Sequence, residues 1–127
     1  MLRVLWVNDD MFSDLWVDEW INRKYRANVD RASSTEEALK MCEKNKYELI
    51  VSNMRRGNDS DAGITLLEKL RKMGNETKYI VYTGREDRLK ERRFLKLGGY
   101  GYTASETVVS AYIHTILTTA IVNMFGC

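Results

Sequence analysis

The sequence predicts an α/β fold, a doubly wound parallel sheet of five strands with helices on both faces. Two observations carry that reading. Short apolar runs rich in β-branched and aromatic residues recur at even spacing, as strands covered on both faces should. Between them lie stretches of helical period with no hairpin signal, so the strands run parallel, joined by right-handed crossovers.

The elements follow in order. Residues 3–7 (RVLWV), 47–52 (YELIVS) and 78–82 (KYIVY) read as strands; 27–31 is a weaker candidate and 101–103 a fifth. A first helix capped by Ser13 carries Leu15, Trp16, Glu19, Trp20 and Arg23. Ser34 and Glu37 frame a capping box that opens a second through Ala38, Leu39 and Met41. A third spans about 63–73, with Leu66, Leu67 and Leu70 inward and Gly74 at its end. A fourth runs over about 87–97 and stops at Gly98-Gly99; the fifth begins near Ser105 and continues to about Asn123.

Composition bounds the function. The 127 residues fit one domain, 1–127, and 44% hydrophobic with 30% charged residues suits a globular chain. A net charge of +2 makes nucleic acid an improbable partner. Two cysteines, Cys42 and Cys127, make neither a disulfide scaffold nor a metal cluster, and His114 is the one histidine. The N-terminus lacks the pattern of a signal peptide, so the expected setting is reduced and cytoplasmic.

In a doubly wound sheet the functional crevice lies at the carboxyl ends of the strands. There the first strand ends in Asn8-Asp9-Asp10, the third in Ser52-Asn53-Met54, the fourth in Thr83-Gly84 and the fifth in Tyr102-Thr103-Ala104-Ser105. Two acids, an amide and a hydroxyl converging at one edge are the makings of a hard-cation or phosphate site.

Together the motifs LWVNDD, STEEAL, YELIVSNM, VYTG and LGGYGY resemble the receiver domain of two-component response regulators over essentially the whole chain. The chain is also similar to a subgroup of bacterial receivers whose first strand reads LWVDD and whose third helix reads GxxLLEKLRK, here 63–72. The resemblance implies a flavodoxin-like (βα)5 receiver fold. It also implies an acidic pair holding Mg²⁺, an Asp after strand 3 that accepts a phosphoryl group, a Thr and a Lys that bind it, and a switching aromatic.

Carried over, the acidic-pair position becomes Asn8 and Asp9, with Asp10 next, and the acceptor position is Asn53. Thr83 and Tyr102 keep the switch pair, while the phosphate-binding positions hold Thr83 and Ser105, the latter where the lysine belongs. An aspartyl phosphate needs a carboxylate nucleophile, and a neutral amide cannot make it. With Asp9 the one residual metal candidate, Mg²⁺ is expected only if the pocket is live. The expected function is therefore a degenerate pseudo-receiver: no enzyme and no cofactor, a regulatory module acting by protein–protein contact. The alternative is an ordinary phospho-accepting receiver carrying an inactivating substitution at Asn53, with or without a second at Asn8. In a silent pocket Asp9 and Asp10 would cap the first helix, Thr83 the fourth, and Asn53 would bond to Asp9 or Thr83.

Two helices bear on partners. Residues 85–96 hold six bases and three acids, a solvated or partner-binding face. In the fifth helix Val109, Tyr112, Ile113, Ile116, Leu117 and Ala120 form the sheet-facing stripe. The opposite stripe, Thr107, Ser110, His114, Thr118 and Val122, is uncharged, and Glu106 is the sole charged residue after Lys96. That predicts an interface through helix 4, strand 5 and helix 5, with a protein partner or a homodimer, and no membrane span, since the fold needs this helix.

Overall fold

The computed structural model describes residues 1–126; Cys127 lies outside them. Five strands and five helices alternate along the chain: β1 (Leu2–Val7), α1 (Trp16–Tyr25), β2 (Ala27–Ala32), α2 (Thr35–Lys44), β3 (Leu49–Ser52), α3 (Ala62–Lys72), β4 (Lys78–Tyr82), α4 (Arg88–Lys96), β5 (Gly101–Thr103) and α5 (Glu106–Met124). All pairings are parallel, in the order β2-β1-β3-β4-β5. The chain runs outwards from β1 in both directions, so the switch point lies between β1 and β3, where a crevice opens above the strand ends.

Alternation along the strands builds a core on each face. Leu5, Val7, Ile50, Tyr79, Val81 and Tyr102 point to α2, α3 and α4, and meet Leu66, Leu67, Leu70 and Phe94. Val4, Trp6, Leu49, Val51 and Ile80 point the other way, against Val17, Ile21 and Tyr25 of α1 and Val109, Ile113 and Leu117 of α5. The expected inner stripe of α5 is thus buried at its centre, with Tyr112 and Ala120 half-buried at its edges.

Caps explain most helix ends. Ser34 Oγ accepts from the Glu37 amide and Glu37 reaches back to the Ser33 amide, one residue before the cap itself. Gly98 ends α4 in the left-handed region. The first helix departs from expectation: it starts at Trp16 and has no side-chain cap. Ser13 Oγ instead bonds to Asp14, a non-glycine at φ 56°. The Arg31 guanidinium holds the carbonyls of residues 13 and 14 and pairs with Asp18, so the chain before Trp16 is committed elsewhere.

Candidate functional site

Asn8 and Asn53 are placed side by side by the sheet itself. The Asn8 amide donates to the Ala32 carbonyl and the Asn53 amide to the Val7 carbonyl, which extends both ladders one step beyond the strands. Gly63 brings α3 up close: a Cβ there would lie 2.6 Å from the Asn53 carbonyl oxygen, and its N–H donates to the Met54 carbonyl. Beside these strand ends lies a cleft of about 380 Å³ bordered by Asn8, Ser13, Asp14, Asn53, Thr83 and Ala104.

The Asn53 side chain is fully engaged. Its Nδ2 donates to Asn8 Oδ1 (3.2 Å), Asp9 Oδ1 (3.1 Å) and the Arg55 carbonyl (2.8 Å). Its Oδ1 accepts from Arg56 Nη1 at 2.9 Å. A guanidinium can only donate, so the amide oxygen must face Arg56 and the NH₂ must face the oxygen cluster. Asp9 Oδ2 accepts from the Gly57 amide at 3.0 Å. That backbone bond, assisted by the Asn53 amide, holds the Asp9 carboxyl below the ordinary carboxylate range.

Arg56 is the functional residue that sequence reasoning missed. It is 8% exposed. Besides Asn53, its guanidinium bonds Ser52 Oγ (2.7 Å), Thr35 Oγ1 (2.8 Å) and the Ala62 carbonyl (3.0 Å). A tight reciprocal bridge between Arg56 and Asp59 turns the side chain inward, while its neighbour Arg55 stays exposed. Burial lowers the Arg56 pKa, and its charge compensates Asp9.

The expected bonds to Asp9 exist, but the other expected partners differ. Asn53 makes no bond to Thr83. Neither Asp9 nor Asp10 caps α1: Asp10 Oδ1 accepts from the Phe12 amide within the loop. Thr83 Oγ1 accepts from the Arg85 amide at 3.4 Å, whereas Asp87 is the cap of α4. Ser105 turns away from the cleft to cap α5 by accepting from the Val108 amide, and Ala104 stands at the cleft wall. Tyr102 is buried against Phe94, ring centroids 5.9 Å apart, and burial raises its phenol pKa.

His114 Nδ1 lies 2.8 Å from the Tyr25 hydroxyl, and Thr118 bonds back to the His114 carbonyl. Thr107, Ser110, His114 and Thr118 therefore occupy the flank beside α1, and Val122 the outer crest. The flank beside β5 holds Tyr112, packed edge-on against Tyr100, with Val108 and Thr115. The stripe and the helix 4–strand 5–helix 5 surface, treated as one in the sequence reading, lie on different sides of α5. The cause is the seat of α5 between α1 and β5: with Ile113 and Leu117 on the sheet as expected, one flank meets Tyr25 and the other Tyr100.

This ring does not fit the divalent cation that the resemblance implies. A cation would need the Asn8, Asp9 and Arg55 oxygens that already converge on the amide nitrogen, and Asp9 alone would bring charge.

Compared by sequence with curated proteins, the chain matches none. Compared by structure, it is similar to a two-component response regulator from Clostridium difficile (21% identity, TM-score 0.77, 93% of this chain and 97% of that one). It is also similar to a CheY-like receiver domain protein from Methanospirillum hungatei JF-1 (23%, 0.76, 94% and 95%). The response regulator TrrA of Thermotoga maritima, solved with Mg²⁺ and BeF, is a third likeness (18%, 0.68, 91% and 99%). These show a shared fold. Residues 4–106 match the response regulator receiver domain, in agreement with the (βα)5 architecture: the chain belongs to the response regulator receiver domain family.

Proposed function

We propose that residues 1–127 form one receiver-like domain, a cytoplasmic pseudo-receiver that signals by protein contact without phosphorylation at the end of β3. Receiver domains are signalling modules of two-component systems, and this one turns over no substrate. The observation that carries the reading is the engaged Asn53 amide: it offers no carboxylate to a phosphoryl donor, and its NH₂ fills the oxygen cluster. That no lysine lines the cleft among the described residues adds to this: past β5 its wall is Ala104, and Ser105 turns away to cap α5. Contact with a partner would run over α4, β5 and α5.

The test is incubation with acetyl phosphate, or with beryllofluoride, in millimolar Mg²⁺. Intact mass and amide spectra are expected to stay unchanged, including those of Thr83 and Tyr102. A mass gain of one phosphoryl group on the chain, stable in acid and labile in base, would overturn the proposal in favour of an ordinary receiver.

A further inference from the structure

We infer that the end of the molecule opposite the cleft rests on an anionic lipid surface, with Met1 and the last turn of α5 entering the headgroup layer. The inference adds a place of action to the proposed function and stands apart from the question of which face meets a protein partner.

In a parallel sheet with helical crossovers, every strand starts and every helix ends at the same end of the fold. Four helices finish there in bases: Arg23 and Lys24 on α1, Lys44 on α2, Lys72 on α3 and Lys96 on α4. The helix dipole accounts for these by itself. Arg26, Lys46 and Lys78 lie beyond the helices, in connections and at the start of β4, and all three are exposed. Arg23 pairs with Glu19; the other bases named make no ion pair among the described residues. The acids of this end are Glu43 and Glu76, exposed, and Glu48, half-buried with a bond from the Arg3 amide; Asp30 on β2 is half-buried on the Tyr47 hydroxyl. At the cleft end the balance reverses. There Asp9, Asp10, Asp59, Glu86, Asp87 and Glu106 outnumber Arg55, Arg85 and Arg88 among the exposed charges, so a net charge of +2 conceals a separation along the strands.

α5 breaks the pattern of the other helices: its last turn has no base. Val122, Met124 and Phe125 are exposed there, Phe125 by 78%, and Met1 beside them by 83%. Met1, Met124 and Phe125, with Leu2, Tyr25, Ile121 and Arg26, frame a groove of about 300 Å³ that no acid borders among the described residues. Aromatic and aliphatic side chains standing out beside Lys and Arg are the make-up of an interfacial contact. The apolar groups enter the boundary between headgroups and acyl chains, and each base near an anionic leaflet tightens binding severalfold. α5 is long and apolar enough to cross a bilayer by composition, but Val109, Ile113, Ile116 and Leu117 are packed on the sheet, so contact is confined to its end. A second copy matches less well. A two-fold contact, groove to groove, sets Arg26 and Lys24 near their own copies, while Glu43, Glu48 and Glu76 lie outside the groove. Nucleic acid would meet the bases and leave the aliphatic walls without a partner.

The experiment floats the full chain, with no residues added at either end, on density gradients with vesicles of phosphatidylcholine alone or mixed with phosphatidylglycerol. The chain is expected to float with the mixed vesicles only, and less as salt is raised. Phe125→Glu places a charge where the groove enters the headgroups. K24E/R26N removes the bases beside it, and Asn suits the left-handed backbone at residue 26. Each should weaken binding about tenfold. Phe12→Glu, at a comparably exposed phenylalanine of the cleft end, and Arg92→Glu on α4 should leave it unchanged. Amide spectra verify that all four variants are folded. Absence of flotation, equal flotation with neutral vesicles, or losses in Phe12→Glu or Arg92→Glu that match those in Phe125→Glu overturn the inference. So does comparable binding of a single-stranded oligonucleotide. Self-association in sedimentation equilibrium that Phe125→Glu abolishes also overturns it and gives the groove to a second copy. No phosphoryl donor enters these measurements, so failure here leaves the reading of Asn53 intact.

Discussion

The strand-end ring and the α4–β5–α5 face differ in how their polar groups are satisfied. In the ring, Asp9, Asn53 and Arg56 bond to one another and to the backbone. On the face, Arg88, Arg92 and Lys96 with Leu89 and Leu95 of α4 turn to solvent. Arg56 Nε, buried without a partner, is the exception within the ring. A site whose donors and acceptors are mostly matched internally gains little from a ligand, whereas unmatched charge beside exposed apolar surface gains from a complementary one. Stability should therefore concentrate in the ring and binding on the face.

The largest expected effect breaks the ring. Arg56→Met removes the donor for Ser52 Oγ, Thr35 Oγ1, Asn53 Oδ1 and the Ala62 carbonyl, several of them out of water. At about 1–3 kcal/mol for each buried acceptor left unpaired, the loss should reach about 3 kcal/mol in urea unfolding. A change below about 1 kcal/mol would mean that water replaces the guanidinium freely. Next comes Gly63→Ala. Its methyl meets the Asn53 carbonyl at 2.6 Å, so α3 must retreat, at about 2 kcal/mol for an overpacked contact. Thermal unfolding reads the loss, and amide shifts at Asn53 and Met54 should accompany it.

A smaller effect follows from Asp9. Its carboxyl pKa is held down by the Gly57 amide in the folded state, so its contribution is fully present above the ordinary value of 3.8. The contribution is lost as pH falls through the lowered value. Asp9→Asn should thus destabilise slightly at neutral pH and converge on the wild type in acid. A gap that widened in acid would reverse the sign and the cause. Smallest of all is Arg92→Glu, expected to move stability by less than about 0.5 kcal/mol, as exposed substitutions usually do. A large loss there would give the exposed cations of α4 a structural role.

Much of the architecture was legible because strands and helices announce themselves by period: the 78–82 and 101–103 strands and the starts of the last two helices near Asp87 and Ser105 stand where the pattern puts them, although Asp87 and not Thr83 caps α4. The ring was half legible. Asn53 bonding to Asp9 followed from the chemistry of an amide beside a carboxylate, but Arg56 did not. Arg55 and Arg56 are identical in composition and neighbourhood, and only the fold of the 56–59 turn sends one inward and the other to solvent. Ser13 failed as a cap for a related reason: Arg31, eighteen residues away, claims the backbone that a helix would need. The inner stripe of α5 was legible, but which flank meets α1 and which meets β5 is a tertiary quantity, and it is this that sets His114 against Tyr25.

Arg31 has a further consequence, for motion. The segment between β1 and α1 forms one wall of the cleft, yet it contains no regular structure and displays Met11, Phe12 and Leu15 to solvent. Asn8 and Asp9 are tied to β2, Asn53 and Gly57, but residues 10–15 are tied to the rest of the fold by the Arg31 guanidinium, which also covers the Trp6 ring and grows from β2, an edge strand of the sheet. Edge strands open at lower cost than central ones. Hydrogen exchange in residues 10–15 should then rise and fall with that of β2 as one cooperative unit, so that fraying at the rim of the sheet is felt at the mouth of the cleft.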